Sequence, residues 1–93
     1  MKISECKLLD YDQEELVRDL LDDPRVVEIG IVSTEPYFIL KIIIKEMDVS
    51  LYDVVSNLTL DYEALTRIYC EYTLLTVSEF KGREDEVICV VSR

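Results

Sequence analysis

Two groups of neighbouring carboxylates are the residues in this sequence best suited to binding a metal ion. They are Asp22-Asp23 and the run Glu84-Asp85-Glu86. Carboxylate oxygens are the ligands that hard cations prefer, and paired carboxylates can also act as acid and base when burial raises one pKa. Both groups fall in predicted turns, where charged side chains face solvent. The sequence therefore predicts no metal site, no catalytic residue and no cofactor.

The residue types that most enzymes use are also missing. The chain has no histidine, which excludes Ser-His-Asp and Cys-His arrangements. Its only glycines, Gly30 and Gly82, cannot build a phosphate-binding loop. The three cysteines form no C-x-x-C pair, so buried apolar positions are favoured over a zinc site or a disulfide framework for Cys6, Cys70 and Cys89. We predict that the protein is not an enzyme.

The composition indicates one acidic domain, residues 1–93. Twenty acidic and ten basic residues give a net charge of −10, which repels phosphate groups and argues against binding to nucleic acid or to an anionic membrane. An apolar fraction of 49% excludes a disordered chain, and the longest apolar runs are interrupted by charge and too short to span a membrane. Residues 1–10 are charged throughout, unlike a signal peptide, so a cytoplasmic location is expected.

Alternation and helical spacing predict seven elements. The five strands are predicted at 3–9, 25–33, 37–47, 68–80 and 87–92. The first helix lies between the first two strands, capped by Asp12 with Glu15 and stopped by Pro24. The second follows the third strand, beginning at Ser50 and ending between Asn57 and Leu65. The predicted fold class is α+β, with a ferredoxin-like βαββαβ order and an added C-terminal strand. Right-handed crossovers place both helices on one face of an antiparallel sheet.

The strand YFILKIIIKEM, residues 37–47, is predicted to have two different faces. Its even positions are all apolar and are expected beneath the helices: Phe38, Leu40, Ile42 and Ile44. Its odd positions mix apolar side chains with lysines and need another cover. A second copy of the chain is the simplest cover by symmetry. The sequence therefore predicts a homodimer whose interface contains Tyr37, Ile39, Lys41 and Ile43.

Two stretches, LLDDPRVVEIGIVSTEPYFILKIIIKEMDVSLYDVV and TRIYCEYTLLTVSEFKG, resemble the RAM effector domain of the leucine-responsive regulatory protein and asparagine-regulator family. The resemblance implies a ferredoxin-like fold and dimers that associate further. It also implies that an amino acid binds between subunits and that the module associates with a DNA-binding regulator. The family's glycine-aspartate turn here reads STEPY, which implies an effector site at Ser33, Thr34, Glu35 and Tyr37.

Two functions are open at this point. The first is a non-enzymatic regulatory and oligomerisation module that binds a second copy, a small effector such as an amino acid, or a DNA-binding regulator. The second is an acidic protein-interaction module, or a DNA mimic, that binds a basic partner protein. The two differ in the placement of charge, because a mimic needs its acidic residues in rows on one surface.

Overall fold

Alternating apolar residues form a four-stranded sheet in the structure, a computed structural model that describes residues 1–93. The strands are β1 (Val26–Ser33), β2 (Phe38–Ile44), β3 (Cys70–Thr76) and β4 (Cys89–Ser92). They lie in the order β3-β2-β1-β4. β1 is antiparallel to β2 and to β4, whereas β2 and β3 are parallel. The sheet is mixed, and the α+β class is confirmed.

Three helices accompany the sheet: α1 (Tyr11–Asp22), α2 (Val49–Thr66) and the short α3 (Val77–Phe80). α1 and α2 pack against each other and cover one sheet face. α2 is the crossover that connects the parallel strands β2 and β3. None of the helices has both the length and the apolar character that crossing a membrane requires.

The sheet face beneath α1 and α2 holds the main core, a cluster of 19 buried residues. The even positions of β2 all belong to it, as the alternation predicts: Phe38, Leu40, Ile42 and Ile44. Burial of each such side chain contributes about 1.5–3 kcal/mol relative to an exposed one. This prediction of the core row is confirmed.

The predicted strand at 3–9 is wrong. Residues Ile3–Glu5 form a 3₁₀ turn, closed by the Lys2 amide, which donates to the Glu5 carboxylate at 2.8 Å. Only Lys2 bridges to the sheet, beside Ser92. With no strand at 3–9 to pair with β2, the α2 crossover places β3 directly beside β2, and such a crossover joins parallel strands. The expected antiparallel sheet is corrected to a mixed one, and the ferredoxin-like order is not confirmed.

The helix starts also differ from the prediction. α1 is capped by Asp10, whose carboxylate accepts from the Gln13 amide at 2.8 Å while the Gln13 side chain accepts from the Asp10 amide at 3.0 Å. Asp12 lies inside the first turn. α2 begins after Asp48, whose carboxylate accepts from the Ser50 amide, so Ser50 is inside the helix rather than its cap. In both cases an acidic residue slightly earlier in the chain satisfies the free amides.

The second sheet face is covered by the segment that follows β3, residues 77–88. Phe80 packs on Ile43 and Leu75, and all three are buried. The Val87 side chain packs closely on Gly30, where an added Cβ would lie 2.8 Å from it. Lys41 Nζ binds the Glu86 carboxylate at 3.1 Å. For this segment the sequence predicts the end of one strand, a turn at 81–86 and the start of the last strand. The segment is instead a folded flap of the same chain.

Candidate functional site: an acidic groove between two helices

The predicted effector residues lie in the turn between β1 and β2. Thr34 and Glu35 line a small cavity of about 140 Å³ together with Asp10 and Gln13. Gln13 holds the turn, since its Nε2 donates to the Thr34 carbonyl at 3.2 Å. Ser33 does not line the cavity, and its hydroxyl donates to the Glu35 carbonyl at 2.9 Å. The structure therefore brings together only part of the predicted set.

Tyr37, the fourth predicted effector residue, points its ring elsewhere. Its ring packs edge-on against Tyr69 with centroids 5.6 Å apart. The charged groups that line the cavity are both carboxylates, Asp10 and Glu35, so no basic side chain there can bind the carboxylate of an amino acid. The cavity is also smaller than the roughly 300–1,000 Å³ of typical ligand sites. Amino-acid binding at this turn stays a prediction.

The predicted dimer-interface residues do not form one open patch. Tyr37 is half-exposed and Ile39 is partly exposed, but Lys41 is paired with Glu86. Ile43 is 0% exposed within the single chain. The expectation that Ile43 needs a partner's cover is therefore wrong, because the flap at 77–88 already supplies it. The homodimer itself stays a prediction.

A larger groove of about 350 Å³ lies between α1 and α2. Its lining combines carboxylates with apolar side chains and contains no basic residue: Tyr11, Asp12, Glu15, Leu16, Asp19, Leu58, Asp61, Tyr62 and Leu65. Residues three or four positions apart share one side of a helix, and the spacing of Tyr11, Glu15 and Asp19 on α1 follows this rule. The spacing of Leu58, Asp61 and Leu65 on α2 does the same.

Three carboxylates of this groove have no partner in the chain. Asp12, Asp19 and Asp61 form no ion pair and accept no side-chain or backbone hydrogen bond. Glu15 pairs with Arg18 at 3.1 Å, but both side chains are about half exposed, and such pairs contribute little. The groove is therefore a region of concentrated negative charge.

The pKa of Asp19 reflects that concentration. Burial raises it above the ordinary value, and the neighbouring carboxylates of Glu15 and Asp22 raise it further. Arg18 opposes the shift without cancelling it. A cation that entered the groove would relieve this repulsion and favour the ionised form of Asp19.

The apolar side chains of the groove differ in their exposure to solvent. Tyr11 and Leu65 are each 73% exposed. Tyr62 is buried with its ring 5.5 Å from that of Phe38, yet its hydroxyl has no hydrogen-bond partner. The side chains of Gln13 and Thr66 lie near this hydroxyl, but they donate to the backbone carbonyls of Thr34 and Tyr62. This hydroxyl is enclosed by the protein, and neither Gln13 nor Thr66 lines the groove, so the exposed apolar surface of the groove is that of Tyr11 and Leu65.

Sequence reasoning missed this groove for a specific reason. Helical spacing places the end of the second helix only between Asn57 and Leu65, and the groove residues of α2 all fall within that range: Leu58, Asp61, Tyr62 and Leu65. The signal in the sequence was Tyr11 and Leu65, two large apolar side chains that lie outside the buried faces of their helices.

Three of the five carboxylates that first suggested a metal site bind other groups of the chain. Asp23 binds the Arg25 guanidinium at 2.8 Å and 3.0 Å. Glu84 accepts from the Gly82 amide at 2.8 Å, and Glu86 pairs with Lys41 and with Arg83. No group of three or more His, Cys, Asp or Glu side chains is arranged to hold a metal ion.

Comparison of the chain with protein-family models, with curated proteins and with solved structures gives no match.

Proposed function

We propose that the protein is a non-catalytic acidic interaction module that binds a basic, amphipathic segment of a partner protein in the groove between α1 and α2. The observation that carries the proposal is the set of three unpaired carboxylates, Asp12, Asp19 and Asp61, beside the exposed side chains of Tyr11 and Leu65. None of these five residues belongs to the hydrophobic core, so packing of the core does not account for them.

The chemistry of the groove defines its partner. Lysine or arginine side chains would pair with the free carboxylates, and leucine-like side chains would pack on Tyr11 and Leu65. An amphipathic helix carries both kinds of residue and binds apolar grooves in this way. The net charge of −10 would also speed the approach of a basic partner.

A second candidate is the regulatory and oligomerisation module that the RAM resemblance implies, with a ferredoxin-like order as part of it. The observation that favours it is the aromatic pair of Tyr37 and Tyr69, both about half exposed, beside the partly exposed Ile39. Tyrosine is common at interfaces between subunits. In this candidate the pair lies at a homodimer contact, and Tyr69→Ala would lower the solution mass measured by sedimentation equilibrium.

Peptide binding tests the first proposal. The probe is a fluorescein-labelled peptide of about 14 residues, roughly four helical turns, with leucines on one face and lysines on the other. Its matched control has glutamate at every lysine position. In fluorescence anisotropy at about 0.15 M salt, we expect the lysine peptide to bind and the glutamate peptide not to bind.

Two double variants separate groove binding from general charge attraction. Asp19→Asn with Asp61→Asn removes two charges from the groove and should weaken binding by about tenfold. Glu84→Gln with Asp85→Asn removes two charges from the segment at 77–88, on the opposite face of the sheet from the groove. This variant should change the affinity by less than about threefold. All four residues are exposed, so both variants should fold. Equal loss in the two variants would contradict the groove as the site.

A further inference from the structure

Two cysteine thiols meet where the start of the chain packs on the last strand. The sulfur atoms of Cys6 and Cys89 lie 3.3 Å apart, although the residues are 83 positions apart in sequence. Both cysteines are free. The third, Cys70, lies on β3 at the opposite edge of the sheet from β4.

The backbone holds the two segments together independently of the thiols. The Met1 ammonium donates to the Val90 carbonyl at 3.0 Å, and the Ser92 amide donates to the Met1 carbonyl at 2.7 Å. Cys6 follows the 3₁₀ turn outside the sheet, whereas Cys89 is the first residue of β4 and pairs with Ile31. Cys89 is thus fixed by the sheet, whereas Cys6 lies outside the sheet and is buried in the core.

We propose that Cys6 and Cys89 are a redox modification site, where a small disulfide such as glutathione disulfide oxidises the two thiols to a reversible intramolecular disulfide. The sulfurs must approach from 3.3 Å to about 2.05 Å, a closing movement of about 1.2 Å. The segment that carries Cys6 makes this movement, because Cys89 is held in β4.

The reaction proceeds by two thiol–disulfide exchanges. The Cys89 thiol is partly exposed, loses its proton to solvent, and attacks one sulfur of glutathione disulfide. The sulfur–sulfur bond of glutathione breaks, and one glutathione leaves as thiolate. The buried Cys6 then loses its proton and attacks the Cys89 sulfur of the mixed disulfide. A second glutathione leaves, so two protein thiols are oxidised, one glutathione disulfide is reduced to two glutathiones, and both protons end on them.

The rate should depend strongly on pH. Burial, and then the contact with Cys6, raise the pKa of the Cys89 thiol to about 11. Only the thiolate attacks, so the rate should rise about tenfold for each pH unit from about pH 7 to pH 9. The product joins the start of the chain to its end across a long loop, and such a link stabilises a fold mainly by restricting the unfolded chain.

Thiol counting tests the proposal on the whole chain. The protein is incubated with glutathione disulfide, unfolded, treated with iodoacetamide and weighed by mass spectrometry. We expect one alkylated cysteine, identified as Cys70 by peptide mapping, and a Cys6–Cys89 peptide pair that dithiothreitol separates. The melting temperature of the oxidised protein should rise by about 10 °C or more.

Variants of all three cysteines sharpen the result. Cys70→Ala should keep the cross-link and the temperature shift, whereas Cys89→Ala should lose both. If a variant fails to fold, the peptide map of the unaltered protein still decides. The proposal is overturned if glutathione stays attached to Cys89 as a mixed disulfide, if the link involves Cys70 or a second chain, or if the linked protein melts no higher than the reduced one.

Discussion

Replacing Phe80 with alanine tests whether the flap at 77–88 covers the second sheet face. Phe80 is 5% exposed and packs on Ile43 and Leu75. Truncating a buried phenylalanine costs about 3–5 kcal/mol, and this small cluster can partly collapse, so we expect a loss near the lower limit, about 3 kcal/mol. For a domain of this size the melting temperature should fall by about 12–24 °C.

Urea unfolding followed by circular dichroism measures this loss. Val77→Ala is the matched control, since Val77 belongs to the same short helix but is 53% exposed, and its replacement should change the free energy of unfolding by less than about 0.5 kcal/mol. A double-mutant cycle of Phe80→Ala with Ile43→Val should show coupling of at least about 0.5 kcal/mol, because the two side chains touch.

Two results would contradict the packing of Phe80 on the sheet. One is a loss below about 1 kcal/mol for Phe80→Ala, which would mean that Phe80 is not buried against the sheet. The other is full additivity with Ile43→Val, which would mean that something else covers Ile43. A second copy of the chain would then be the first alternative.

Three further changes test other contacts. Ile43→Glu should unfold the chain in circular dichroism rather than leave a folded, dissociated subunit, because a buried unpaired charge costs several kcal/mol; a folded variant would argue against the flap. Asp10→Ala removes the α1 cap and should lower the free energy of unfolding in urea by about 1 kcal/mol. Asp12→Ala should lower it by less than about half of that amount, and the reverse order would show that Asp12 is the cap. The hydrogen bond that Arg25 donates holds the pKa of Asp23 below its ordinary 3.8 in the folded protein. The ionised Asp23 therefore stabilises the fold above pH 3.8, and this stabilisation is lost as the pH falls through the lower pKa of the folded state. Arg25→Ala should raise the pKa of Asp23 in an NMR titration, and an unchanged pKa would contradict that assignment of cause.

The part of the fold that could be predicted from the sequence depends on local periodicity. The alternation of Phe38, Leu40, Ile42 and Ile44 identifies the core face of β2, because one apolar row must be buried whatever covers it. The cover of the other row depends on where a distant segment folds. Periodicity within β2 carries no information about that segment, so a second chain is the cover that the sequence predicts.

One local signal for the flap was present but unused. Thr76 and Glu79 form a capping box, in which the Thr76 hydroxyl accepts from the Glu79 amide at 3.3 Å and the Glu79 carboxylate accepts from the Thr76 amide at 2.9 Å. Threonine followed three positions later by glutamate is a helix-start signature. It ends β3 at Thr76 and turns Phe80 back onto the sheet, whereas the β-branched residues before it suggested a continuous strand to Phe80.

The acidic groove could be predicted only in part, because it belongs to two helices at once. When each helix is considered alone, Asp19 and Asp61 look like ordinary solvent-facing residues and Asp12 looks like a helix cap. Their common placement follows only from the packing of α1 against α2.

An NMR titration of the isotope-labelled protein with the leucine–lysine peptide locates the binding site residue by residue. We expect amide shifts to concentrate on the groove-lining turns of α1 and α2, around Asp19 and Asp61, and we expect the leucine–glutamate peptide to cause none. The raised pKa of Asp19 also predicts that binding weakens as the pH falls, because this carboxylate then loses its charge. Shifts concentrated instead on the acidic turn at 84–86, or spread evenly over the surface, would contradict the groove as the binding site.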